Sequence, residues 1–250
     1  MARVRHLRNA PITEAIVDFR VSPARDFEPD RLREARDRLR EDYPKVVERK
    51  GLEAFVEVSP AGLKQPPKTR DLGFQGLWLR PADELQVAQF RIDGFTFNRL
   101  KPYSGWEQIL PEALRLWRVY VDLARPEGIT RLALRYINHM GLPSPPVELD
   151  DYLVTGPSLA PSSTPQALSG FATRVVVQYP ERRMQATVIQ ALEVGLETSA
   201  HSLRFDIDVS RAAALEIDET VLRETLGELR ACKNEIFFGS LTERFVGAFE

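Results

Sequence analysis

The chain has 250 residues, enough for one large domain or two fused small ones, and its 43% hydrophobic and 28% charged content is that of an ordinary globular protein. The 34 cationic and 36 anionic side chains are interleaved and leave a formal net charge of −2. Duplex binding calls for a basic excess, so nucleic acid is disfavoured as a partner. The single cysteine, Cys232, excludes an internal disulfide and fits a reducing, cytoplasmic setting.

In chain order, MARVRHLRNAPITEA is basic but lacks the apolar core of a secretory signal. No later apolar run reaches the ~18–20 residues of a membrane span, so no membrane role is expected. Arg3, Arg5, His6 and Arg8 read as a solvated, partly mobile terminus. AIVDFRV (15–21) alternates apolar and polar residues and reads as a strand. PDRLREARDRLREDYP (29–44) opens with Pro29 at a helix-start position, and the spacings Glu34–Arg38 and Arg33–Asp37 predict a surface helix ending near Pro44. LEAFVEV (52–58) reads as a strand, and SPAGLKQPPKTRDLG (59–73) as a loop.

FQGLWLR (74–80) and LQVAQFRI (85–92) predict a hairpin around residues 81–84, and Asp93-Gly94 signals a second tight hairpin or a bulge. From Ile109 to Val121 apolar residues recur at three- and four-residue spacing, which predicts a helix over 106–124. Just before it, FNRLKPYSGWEQI concentrates polar side chains. Its Ser104-x-x-Glu107 pattern predicts a capping box, and Asn98, Arg99 and Lys101 are left without a structural duty.

ITRLALRYINHM (129–140) reads as a strand with Leu132, Leu134, Tyr136 and Met140 on one face and Arg131, Ala133, Arg135, Ile137 and His139 on the other. Alternation puts Asn138 on the side of Leu134 and Tyr136. The segment 141–170 carries six prolines and reads as a long loop with at most a short helix near 149–153. Strands are expected at 172–179, 184–192 and 202–209, then a helix capped by Asp218 as far as about Ala231. A final helix runs from Ser240, with Ser240-x-x-Glu243 as a second capping box.

Halves 1–127 and 128–250 thus read β-α-β-β-β-α and β-(loop, short α)-β-β-β-α. The expected fold is α+β, an approximate duplication of a βαβββα unit within one continuous globular body. Hairpin-length connections make the strands mainly antiparallel, in one curved sheet with the long helices on one face.

Four stretches stand out together: NAPITEAIVDFR, FRIDGFTFNRLKPYSGWEQI, ITRLALRYINHMGLP and LRACKNEIFFGSLTE. In this order, over nearly the whole chain, they resemble an uncharacterised, sporadically distributed prokaryotic family of about this length. The resemblance implies no activity and no cofactor, and it suggests a mobile or defence-linked context. The positions matching the family's recurrent polar residues are Asn9, Glu14, Asn98, Arg135, Asn138, Lys233 and Asn234, none with a catalytic role attached.

The residues themselves carry no HExxH, no C-x-x-C, no G-x-S-x-G and no phosphate-cradling glycine motif, so neither a catalytic residue, a metal site nor a cofactor is assigned. Cys232, beside Lys233, reads as a small core residue. Several strands instead show one charged face, including Asp18 and Arg20, Gln89 and Arg91, and Arg131 and Arg135. Two readings compete: a wet surface of mutually paired charges, or a groove for a ligand. The candidate binding residues are Arg131, Arg135, Asn138, Asn98, Arg99, Asp206 and Asp208. They point to a non-catalytic binding protein that offers a polar sheet face and long loops to another protein or a small polar ligand. The alternative is an enzyme acting on nucleotides or nucleic acid, with Asp206, Asp208, Arg135 and Asn138 in one site. If the groove reading holds, losing Arg131 and Arg135 removes binding and costs little stability.

Overall fold

The structure, a computed structural model, describes residues 2–55, 58–59, 62–63, 68–142, 148–157, 170–194, 201–212 and 214–250. Eleven strands are described: β1 (Ile12–Ser22), β2 (Lys45–Phe55), β3 (Val58–Ser59), β4 (Gly62–Leu63), β5 (Lys68–Arg80), β6 (Gln86–Arg91), β7 (Gly94–Leu100), β8 (Gly128–Leu142), β9 (Phe171–Tyr179), β10 (Met184–Val194) and β11 (His201–Arg211). The helices are α1 (Ala35–Arg38), α2 (Trp106–Ala124), α3 (Glu219–Ser240) and α4 (Glu243–Gly247). The fold is α+β. Nine strands form one antiparallel sheet in the order β2-β5-β6-β7-β1-β8-β11-β10-β9, and β3 and β4 pair separately.

Period-two alternation sorts the sheet's two sides. On β1, Ala15, Val17 and Phe19 are fully buried, and register carries that side across to Leu132, Leu134 and Tyr136 of β8. It continues to Ile207 and Val209 of β11. Trp117 of α2 stacks on Phe19 with ring centroids 4.2 Å apart, and Phe237 of α3 stacks on Phe205 of β11 at 5.9 Å. Burial of such large rings supplies most of the driving force for docking these helices.

The tight connection between β6 and β7 is the hairpin that Asp93-Gly94 predicts. Gly94 has φ +154°, and a Cβ there would clash with the Phe19 carbonyl oxygen of β1.

Several expectations need correction. The Arg-rich stretch after Pro29 is a 3-10 turn over Pro29–Glu34 followed by the four-residue α1, and the chain is already strand at Lys45. Arg33 turns to Asp30 and Glu48, not to Asp37, so its pairing ties the turn to β2 and does not extend a helix. β5 begins at Lys68, within the stretch expected as loop, because it is paired along its length with β2. The long loop expected over 141–170 lies largely outside the described residues. Within it a 3-10 turn occupies Leu149–Asp151.

Neither predicted capping box forms. The N-cap of α2 is Gly105, without a side-chain bond, and the Ser240 hydroxyl donates to the Ile236 carbonyl inside α3. Asp218 does cap α3, accepting from the Val221 amide at 3.0 Å, and Thr242 caps α4, accepting from the Phe245 amide. Helix α3 does not stop near Ala231 but continues to Ser240. The basic N-terminus is docked: Ala2 N donates to the Phe238 carbonyl at 2.9 Å, Asn9 N to the Phe249 carbonyl at 3.0 Å, and Arg5 pairs with Glu243 and Glu250. Leu7 is buried between them.

Candidate functional site

The polar side of the sheet carries a cleft of about 410 Å³. Its floor is built from alternate residues of β1, β6, β7, β8 and β11, with Ile16, Ala133 and Ile137 between charged neighbours. Asp18 sits at its centre, accepting from Arg91 Nη2 at 3.0 Å, Arg131 Nη1 at 3.2 Å and the Thr96 hydroxyl at 2.7 Å. Arg131 also donates through Nη2 to both oxygens of Asp208, at 2.9 and 3.0 Å. Arg20 spans Asp18 and Asp93 at the rim.

Register places Arg135 directly opposite Asp208, yet it forks diagonally onto Asp206 through Nε (2.8 Å) and Nη2 (2.6 Å). That diagonal choice frees Asp208 for Arg131 and makes a chain of alternating charges. The carboxylates hold Arg135 above its ordinary pKa, through the Asp206 hydrogen bonds first. Burial pushes the Asp208 carboxyl up, against the pull of Arg131. Asp206 is only 2% exposed, so its bidentate bond to Arg135 compensates a buried charge and is part of the fold.

Of the sequence-derived candidates, Arg131, Arg135, Asn98 and Asp208 line this cleft, and Asp206 lies against Arg135. Asn98 donates to Glu14 at 2.6 Å and accepts from Gln89 at 2.9 Å. Two candidates are elsewhere. Arg99 pairs in register with buried Ala15 and donates to the Pro102 carbonyl, at the end of β7. Asn138 is opposite Phe205 in register, is 2% exposed, and donates Nδ2 to the Phe205 carbonyl at 2.9 Å. It therefore occupies the α3 side of the sheet and does not share a site with Arg135, Asp206 and Asp208.

Asn138 instead lines a second cavity, with Arg230, Lys233 and Asn234 of α3. Lys233 and Asn234 had no place in the charged-face reading. A signal was present: Leu222, Leu226, Leu229, Lys233 and Phe237 form one helical stripe, and a lysine interrupts its apolar run. The stripe is complete only because α3 continues past Ala231 to Ser240.

Among the described residues no group of three or more His, Cys, Asp or Glu side chains is arranged to hold a metal ion, and no helix is long and apolar enough to cross a membrane. Compared with known proteins, the chain matches no family model, no curated protein and no solved structure, so the likeness read from its motifs adds nothing to the functional reading of the site.

Proposed function

We propose that the protein is a non-catalytic binding module that takes a small polar ligand in the cleft on the charged side of its sheet. The supporting observation is that the cleft's guanidiniums are clamped by aspartates while some of their donors stay unspent. Nη1 of Arg91 and Nη1 of Arg135 make no hydrogen bond to a described residue. Donors oriented before a ligand arrives lower the ordering cost of binding. Because the charges of the cleft are mutually balanced, a fitting ligand is polar and near neutral overall, such as a zwitterion or a nucleoside. An enzyme acting on nucleotides is less well supported, since the three aspartates are committed to arginines and Asn138 is on the other side. A protein partner would use the same face together with the surrounding loops.

The topology supports an approximate duplication between halves 1–127 and 128–250. The run β1-β7-β6-β5 is repeated as β8-β11-β10-β9, each run is followed by a long helix, and β2 has no counterpart. Stacking of Trp117 and Phe237 on residues of one sheet side supports placing both long helices there, opposite the cleft. The buried, unpaired Cys232 fits a cytoplasmic setting.

A thermal-shift screen of zwitterions, nucleosides and small amides tests the reading. A compound that raises the melting temperature of the wild type should lose its effect in Ile16→Trp, which fills the cleft floor. If no compound shows a shift that depends on Ile16, the cleft is a solvated surface and the proposal fails.

A further inference from the structure

On the α3 side, a cavity of about 280 Å³ lies between the N-terminal segment, the β7–α2 connection, Asn138 of β8 and α3. Its position results from two features: the docking of the N-terminus on the C-terminal helices, and the continuation of α3 beyond Ala231. Arg230, Lys233, Asn234 and Phe237 lie at i, i+3, i+4 and i+7, so they share one helical face, and all four line the cavity. The size is near the lower end for small-molecule sites, about 300 Å³.

Lys233 is the unusual member. Its residue is 8% exposed, and among the described residues it makes no hydrogen bond and no ion pair. Its ammonium lies 4.1 Å from the centroid of the Tyr136 ring, a cation–π contact that offsets only part of the lost hydration. Tyr136 is itself fixed by an edge contact with Tyr103, and the two hydroxyls are 3.3 Å apart. Arg230 is likewise without a carboxylate partner among the described residues and lies over Trp106, with 5.6 Å to the ring centroid.

The charged and titratable groups around Lys233 do not neutralise it. Arg230 repels it, Tyr103 and Tyr136 are held in their neutral form by burial, and Arg5 is spent on Glu243 and Glu250. His6, which offers no negative charge, and the exposed Glu107, which makes no ion pair with Lys233, complete the wall. A buried amine without an acceptor is expensive, and nothing in the packing of the fold requires one here. The cavity combines two unspent cations and two amides with aromatic walls from Tyr103, Trp106 and Phe237.

We infer that this cavity is a binding site for a small organic anion, a carboxylate or phosphate on an apolar or aromatic body, with Lys233 and Arg230 receiving the charge. The aromatic walls take the body and Asn234 is within the same lining to orient the head group. The site is on the opposite side of the sheet from the Asp18 cleft and stands independently of any ligand there.

Binding is coupled to a proton. Burial and the Arg230 charge lower the Lys233 pKa to about 7, so above neutrality the empty cavity holds a neutral amine. A bound anion restores the ammonium, so binding takes up a proton and weakens as pH rises above 7.

The experiment is calorimetric titration of the full chain with benzoate and with phenyl phosphate, and with neutral benzamide as the comparison, at pH 6.5, 7.5 and 8.5. The expected result is saturable binding of at least one anion, weakening by up to about tenfold per pH unit above neutrality, with proton uptake visible in buffers of different ionisation enthalpy. Lys233→Met should reduce the affinity at least about tenfold, and Arg230→Gln should reduce it less, as loss of a charged hydrogen-bond partner does. Ile16→Trp should leave it unchanged. Melting curves of each variant check that it is folded. Which anion binds more tightly separates a carboxylate from a phosphate ligand. Binding of neither anion, equal binding of benzamide, or affinity that survives Lys233→Met in a folded protein would each overturn the inference.

Discussion

The two sides of the sheet handle buried charge in opposite ways. On the Asp18 side every guanidinium in the cleft meets a carboxylate, and the register of β1, β8 and β11 produces the diagonals that allow it. On the α3 side Lys233 and Arg230 face aromatic rings instead. The first arrangement is self-sufficient and the second is incomplete. Paired charges explain themselves as structure, so a ligand there can use only leftover donors. An unpaired buried cation needs a reason outside the fold, and that difference ranks the two regions as anion sites.

The largest expected effect is on the paired side. Arg135→Ala leaves the buried Asp206 carboxylate only the longer 3.4 Å bond from Arg204, and we expect a loss of about 2 kcal/mol in denaturant unfolding. That is less than the about 3–5 of a fully buried pair, because the guanidinium is 38% exposed and screened by solvent. A double mutant with Asp206→Asn should recover much of it. An Arg135→Ala variant as stable as the wild type would show that the pair is dispensable for folding, as the groove reading expects of both arginines.

Next comes Lys233→Met, which should stabilise the chain by about 1–2 kcal/mol near pH 6. The sign comes from linkage. With a folded-state pKa of about 7 against an unfolded value of about 10.4, the unfolded chain holds more protons between those values. Wild-type stability therefore rises by about 1.4 kcal/mol per pH unit over that window, so the variant's advantage is fully present below pH 7, is lost within about two units above it and is reversed toward pH 10. Paired unfolding curves at several pH values check it, and a constant difference would contradict it.

Arg131→Ala should cost under about 1 kcal/mol, since that side chain and its partners are all partly exposed. The smallest effect belongs to the start of α2. Ser104→Ala should change stability by no more than a few tenths of a kcal/mol, against about 1 for Asp218→Ala, because only Asp218 makes its capping bond. Thermal melts of the two variants side by side would separate them.

Much of the fold was legible where local chemistry decides it. The Pro81–Glu84 and Asp93-Gly94 turns, the helix over Trp106–Ala124 and the alternation on β1, β8 and β11 all come from periodicity and turn residues. What was hidden depends on partners far along the chain. Lys68–Gly73 has the composition of a loop and is a strand because β2 pairs with it. Ser104 and Ser240 match a capping pattern, but the backbone enters each helix one or two residues later, at Gly105 and Thr242. The charged cleft was visible as alternation, although its diagonal pairing was not. The cavity was not visible, because it needs the N-terminus, β8 and α3 together.

The most direct test of this contrast is the titration of Lys233 itself, followed by NMR of its labelled side-chain amine in the full chain, with and without benzoate. The account predicts a midpoint near 7 in the empty protein, displaced upward when the anion is bound. A midpoint near the ordinary lysine value of about 10.4, unmoved by the anion, would contradict it.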